Sequence, residues 1–137
     1  MKKIFKIPII VLAIFFLLIF IQIIYSMITA DRISNKDDRR IGDLRQIPIA
    51  LEMYFDDNKT LPESLSELEP KYFTTAPKEP TTNQLYEYRI IENGKSAVIK
   101  VVLDNKNHST LKGDVDGVVS GINCDDPAYC IIFEAEK

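Results

Sequence analysis

The chain carries one histidine, His108, and two cysteines, Cys124 and Cys130, in 137 residues. That scarcity excludes several chemistries. A structural zinc needs four soft ligands, which one imidazole and two thiols do not supply. A nucleophile activated by histidine would have to use His108. That residue lies in a polar stretch with no serine or cysteine signature beside it and reads as an exposed loop histidine. G-x-S-x-G, G-x-G-x-x-G and P-loop patterns are also missing, and with them the local signatures of α/β-hydrolases, dinucleotide binders and P-loop NTPases. There is no low-complexity stretch and no internal repeat. The chain reads as a non-enzyme.

Charge is the next absence. Nothing charged occurs from Ile7 to Ala30, a run rich in Ile, Leu and Phe whose polar residues are Gln22, Tyr25, Ser26 and Thr29. At about 1.5 Å of rise per residue, roughly 20 helical residues cross a hydrocarbon core of about 30 Å. Residues 1–30 are therefore expected to be a membrane anchor. Residues 31–137 are expected to be one extracytoplasmic domain, with membrane lipid as the first partner. Lys2, Lys3 and Lys6 precede the run, whereas the far flank from Asp31 to Arg40 is mixed in sign. The positive-inside bias then keeps the N-terminus cytoplasmic and sends the C-terminal domain out, giving a single-pass topology. A cleaved signal peptide cut after Ala30 is the rival. Its apolar region would be longer than the usual 7–15 residues, and Ile28 is too large for position −3.

The three leader lysines are part of 17 basic residues, so 14 remain against 20 acidic ones and the exported part carries about −6. Such a domain repels phosphate backbones, and nucleic acid is not an expected partner. The 107 residues after Ala30 suffice for one modest core. Cys124 and Cys130 fall on the exported side. A close, even pair in an oxidising compartment reads as a disulfide, against the alternatives of two free thiols or half of a metal site.

Within the exported part, Ile41, Leu44, Ile47 or Pro48, Leu51 and Phe55 recur at helical spacing, and the apolar run is expected to lead straight into this amphipathic helix. Pro48 predicts a kink or a break. Asp56-Asp57-Asn58 ends the helix. A short helix is expected to start at Pro62, after Thr60 or Leu61. Alternation predicts strands at Tyr86–Ile90, Ala97–Leu103 and Tyr129–Ala135, the first two joined by an Asn93-Gly94 hairpin. The fold class is α+β: a long N-terminal transmembrane and amphipathic helix packed on a small antiparallel sheet of three or four strands. Tyr54, Phe55, Tyr72, Phe73, Tyr86 and Tyr88 have the periods of core residues.

Between Asp104 and Ala128 lies a long polar stretch that reads as a loop, either functional or specially tied down. It holds Asp114-Val115-Asp116-Gly117 with Asn123, Asp125 and Asp126. Carboxylates at i and i+2 in a Gly-rich loop are ligands of the kind calcium takes, although the EF-hand spacing is absent. The alternative is an ordinary Asx- and Gly-rich turn region.

The order of these pieces resembles a known family. The stretch from Asp43-Leu44-Arg45-Gln46-Ile47 through Ala50-Leu51-Glu52-Met53-Tyr54-Phe55-Asp56-Asp57-Asn58 resembles the helix end of type IV pilin-like proteins. It is most similar to the major pseudopilins of type II secretion. Leu61-Pro62-Glu63-Ser64-Leu65, Leu68 and Pro77-Lys78-Glu79-Pro80 before Tyr86-Glu87-Tyr88 continue the likeness, and the segment Cys124–Cys130 resembles the disulfide-closed ends of some bacterial pilins. The resemblance implies a pilin-like fold and a structural subunit of a secretion or pilus-type assembly, with similar subunits or other envelope proteins as partners. It also implies calcium in the C-terminal loop, carried here by Asp114 and Asp116 with Asp125 as a third ligand. The leader departs from the family pattern. Ile4 precedes Phe5 where the family has a glycine or alanine, and no acidic residue occurs before Asp31. The second reading is therefore a permanently anchored extracytoplasmic interaction module that does not polymerise.

Overall fold

A computed structural model describes residues 6–91 and 94–135. The contact pattern divides the chain into two units, 1–35 and 36–137. The first contains the N-terminal part of helix α1, which as an element runs Lys6–Asn58. From Ile9 to Ile28 its large apolar side chains are exposed, and the helix is long and apolar enough to cross a membrane.

The second unit is α+β. The remainder of α1 carries the amphipathic stripe, and Ile41, Leu44, Ile47, Leu51 and Phe55 are all buried in one core. Of the kink or break expected at Pro48, the break does not occur: the helix runs through the proline. Ile47, Ala50 and Leu51 are buried on either side of the proline. Tertiary packing of the stripe thus outweighs the lost hydrogen bond at the Leu44 carbonyl. The helix ends as expected at Asn58. Lys59 takes a left-handed φ of 60° and its N–H donates to the Phe55 carbonyl at 2.7 Å, a turn usually given to glycine. The short helix comes later than Pro62. It is a 3₁₀ turn, Leu65–Leu68, capped by Ser64 and Glu67 in a reciprocal capping box. Pro62 is fully buried instead, and its carbonyl accepts from Tyr88 Oη at 3.0 Å.

Strands β1 (Glu87–Ile91) and β2 (Ser96–Val102) pair antiparallel, and β5 (Ala128–Glu134) pairs antiparallel with β2. Of the hairpin turn, Glu92 and Asn93 lie outside the described residues; Gly94 has φ 81°. The order is β1-β2-β5, with β2 central. Ala97, Ile99 and Val101 of β2, Tyr88 and Ile90 of β1 and Phe133 of β5 belong to the core that holds the helix stripe. The expected aromatic packing holds: Phe55 and Tyr86 are buried, and Tyr54, Tyr72, Phe73 and Tyr88 pack against the same core half-buried.

Two charges of the mixed flank before the stripe are buried, while Asp31, Arg32, Asp38 and Arg39 are exposed. Asp37 is fully buried and Arg40 is 4% exposed. Arg40 Nη1 lies 2.7 Å from Asp37 Oδ1 and 3.0 Å from Asp104 Oδ2. Its Nε donates to Glu79 Oε1 at 3.0 Å, and Nη2 donates to the same oxygen and to Thr81 Oγ1. Asp37 also accepts the backbone N–H groups of Asp104 (2.9 Å) and Asn105 (2.8 Å). Burial opposes ionisation of Asp37, but those two amides and Arg40 outweigh it and hold its pKa below the ordinary value. Burial likewise opposes the Glu79 carboxylate, and the Arg40 hydrogen bonds with the Thr82 and Thr81 amides bring it down to about 2.

Removing one partner of a buried charge network typically costs about 3–5 kcal/mol. Arg40→Met should therefore lower the stability of the head by about that amount in urea unfolding; a loss below about 1 kcal/mol would show the network to be incidental. Both carboxyls have depressed pKa values in the folded state, so their contribution is present above the unfolded values and is lost as pH falls through the folded ones. Stability should drop between about pH 4.5 and about pH 2, and Arg40→Met should flatten that drop.

Candidate functional site

The back face of the sheet is formed by the alternate residues, among them Val98, Lys100 and Cys130. It is covered by the segment expected to be a functional or specially tied loop. A 3₁₀ turn, Ser109–Lys112, starts that cover. Its N-cap is His108, whose Nδ1 accepts from the Thr110 N–H at 3.2 Å. The histidine is thus half-buried and has a local backbone role. A two-stranded ribbon follows, β3 (Val118–Val119) paired with β4 (Ile122–Asn123). Ser120 and Gly121, both at positive φ, make its turn, the combination a type I′ turn requires. Gly121 also lies against the β1 edge: a Cβ there would stand 2.7 Å from Arg89 Nη1, which donates to the Ser120 carbonyl.

Ile122, Cys124, Cys130 and Val98 form a second, smaller core between this cover and the sheet, with Val115 and Val119 packed on it. Cys124 and Cys130 are joined in a disulfide with Cα atoms 5.7 Å apart. The bond staples the cover to β5, and both cysteines are fully buried.

Three carboxylates gather beside the staple. One oxygen from each of Asp114, Asp116 and Asp126 lies within 4.8 Å of the others. Asp114 and Asp116 are two of the residues expected there. Asp125 is not the third: its Oδ1 accepts from the Gly117 N–H at 3.1 Å and so closes the loop, while its neighbour Asp126 completes the cluster. Adjacent residues of a turn point in different directions, and the Asn123 side chain and the Ala128 N–H fix this one. Asn123 Oδ1 accepts from the Asp125 N–H, and the Ala128 N–H donates to the Asp125 carbonyl.

Asp114 is the inner member. Its Oδ2 accepts the Cys130 N–H at 3.0 Å, whereas its Oδ1 is buried with no hydrogen-bond partner among the described residues. Burial, then the charges of Asp116 and Asp126, push its pKa above the ordinary value despite the Cys130 amide. An orphaned carboxylate oxygen in a group of three fits a hard divalent cation such as calcium, which collects carboxylate and carbonyl oxygens. Asp114, Asp116 and Asp126 would hold it, and it would supply charge neutralisation and cross-linking of the cover rather than a reaction.

A groove of about 400 Å³ lies elsewhere, bounded by Arg40, Glu79, Tyr86, Glu87, Lys100 and Asp104. Its charged groups are consumed in pairing: Lys100 Nζ sits 3.0 Å from Glu87 Oε2, and Tyr86 Oη donates to Asp43 Oδ2 at 2.7 Å. Against protein-family models, curated proteins and solved structures, the chain gives no match.

A carboxyl whose folded pKa is raised destabilises the fold above that pKa, and the penalty vanishes on protonation. In chelator, Asp114→Asn should therefore unfold at a higher temperature than the unsubstituted chain, by up to about 1 kcal/mol, because an amide keeps the acceptor for Cys130 and offers a donor to Asp116 or Asp126. A lower midpoint in thermal unfolding would show that the charge itself is needed without a cation.

Proposed function

We propose that the chain is a pilin-like structural subunit of the pseudopilin kind, serving a secretion or pilus-type assembly through helix packing and contacts of the head. In this reading the apolar segment spans a bilayer once, the lysine flank is cytoplasmic and the head is extracytoplasmic. The observation that carries it is the division of labour within one helical element. From Ile9 to Ile28 every large apolar side chain is exposed, whereas from Ile41 to Phe55 the apolar stripe is buried against an antiparallel sheet. A water-soluble protein does not leave such a surface bare. The closed disulfide fits an oxidising compartment. The order of the Leu61–Leu65 and Pro77–Pro80 segments between helix and first strand fits the family resemblance.

The second reading is an anchored interaction module that never polymerises. What favours it is the leader, in which Ile4 precedes Phe5 and no carboxylate lies within the apolar run. The two readings part at the mature N-terminus. Processing and assembly predict that intact-mass measurement of protein from native membranes shows a shortened chain. Retention of Met1–Lys6 would leave the anchored module. For orientation, protease added outside intact spheroplasts should digest the head; protection until lysis would reverse the topology.

Within either reading, calcium in the Asp114–Asp116–Asp126 cluster serves as a structural ion. Millimolar calcium should raise the unfolding midpoint of residues 31–137 relative to chelator, by about 2.7 kcal/mol where calcium is a hundredfold above its dissociation constant. Asp116→Ala should abolish that gain and leave the fold intact. Equal midpoints with calcium and chelator would remove the ion from the account.

A further inference from the structure

The apolar part of α1 has a polar side. At about 100° per residue, Gln22, Ser26 and Thr29 fall within about 60° of one another, with Phe15 and Leu18 on the same side. Phe20 and Ile24 lie opposite. The three polar residues are not equivalent. Ser26 Oγ donates to the Ile23 carbonyl at 2.8 Å, and Thr29 Oγ1 donates to the Tyr25 carbonyl at 2.8 Å. Both hydroxyls are thereby satisfied within their own helix. Gln22 has no partner among the described residues, although its amide carries two donors and an acceptor. A shallow groove runs along this side, lined by Phe15, Leu18, Ile19, Gln22, Ile23 and Ser26.

In a bilayer, which is where the proposed function puts this segment, an unpaired amide cannot be left to water. Gln22 lies about 5 Å from the middle of a span counted from Ile9, too deep for its short side chain to reach the headgroups. Interhelical hydrogen bonding is the available remedy, and small or short polar residues beside it let two backbones approach.

We propose that the Gln22–Ser26–Thr29 side of the helix is a contact with a second copy of this chain, in which the Gln22 amides of two parallel helices pair across the interface. The second copy is favoured over another partner by complementarity. A carboxamide is both donor and acceptor, so it satisfies its own twin. Copies inserted with the same topology place the two amides at the same depth. Grooves run along both sides of the helix, so the face is chosen by Gln22, and Ser26, bonded to its own backbone, adds no competing donor.

The test uses the full chain in membranes, with one cysteine at a time added by Ser26→Cys or Phe15→Cys on the polar side and Phe20→Cys or Ile24→Cys on the opposite side. Mild oxidation should give a disulfide-linked homodimer from the first pair and little from the second. Adding Gln22→Leu to Ser26→Cys should lower the dimer yield about three- to tenfold, and Gln22→Asn should retain most of it. Alkaline carbonate extraction of every variant serves as the control. Chains released by carbonate would refute the membrane reading itself. Chains retained in the membrane that cross-link equally all round, or unchanged by Gln22→Leu, would overturn the Gln22 contact alone. A cross-link from Ser26→Cys to a different protein would overturn the choice of a second copy.

Discussion

The head depends on one buried guanidinium. Arg40 on α1 meets Asp37 one turn away, Glu79 in the Pro77–Pro80 crossing and Asp104 at the exit of β2. Asp37 passes the connection on by accepting two backbone amides, those of Asp104 and Asn105. Glu79 does the same for the Thr81 and Thr82 amides. Helix, crossing segment and sheet are thereby held in one register, each donor matched to an acceptor. Such a network adds little net stability compared with an apolar filling, because two or more ions must be dehydrated. What it supplies is intolerance of alternatives. A slip of the helix by one residue would leave a buried charge without its partner.

The other side of the sheet is arranged differently. Its cover has short strands and few apolar residues, so a small core of Val98, Ile122 and the two half-cystines is reinforced by covalent and polar ties. The Cys130 N–H reaches Asp114 at 3.0 Å, and the Gly117 N–H reaches Asp125 at 3.1 Å. Four of the loop's carboxylates, Asp114, Asp116, Asp125 and Asp126, are thus bonded or crowded near the disulfide. These ties, with the disulfide and the small core, hold a polar segment in order; a cation at the cluster would relieve the remaining crowding. With Arg89 clasping the Ser120 carbonyl from β1, the cover is tied to an edge strand and to β5, on either side of β2.

Much of this was legible in the sequence, for local reasons. The stripe Ile41, Leu44, Ile47, Leu51, Phe55 is periodic because one side of a helix faces a core, and every member is buried. The alternation in β1, β2 and β5 gave the sheet, and the spacing of Cys124 and Cys130 gave the disulfide. What failed to show was decided at a distance. Asp37 and Arg40 show no sign of burial in the sequence because, beyond their own i,i+3 pairing, the partners that bury them (Glu79, Asp104 and the Asn105 amide) lie dozens of residues away. Pro48 is tolerated because burial on both sides of it outweighs a single lost hydrogen bond. β3 and β4 are two residues long, too short for any period to register. Asp126 rather than Asp125 joins Asp114 because the turn around Asn123 orients the pair, and adjacent identical residues carry no sign of which way each will point.

A head fixed in this way can present constant surfaces, which is what the proposed subunit or anchored module would require. The claim beneath both is that Arg40 makes helix, crossing and sheet a single cooperative unit. Hydrogen exchange of the full chain in detergent tests it most directly. The Asp104 and Asn105 amides, which donate to Asp37, should exchange as slowly as those in the middle of β2, and Arg40→Met should speed both together with the Thr81 and Thr82 amides. If the Asp104 and Asn105 amides exchange like an exposed loop in the unsubstituted chain, or if Arg40→Met leaves all four unchanged, the network does not organise the fold.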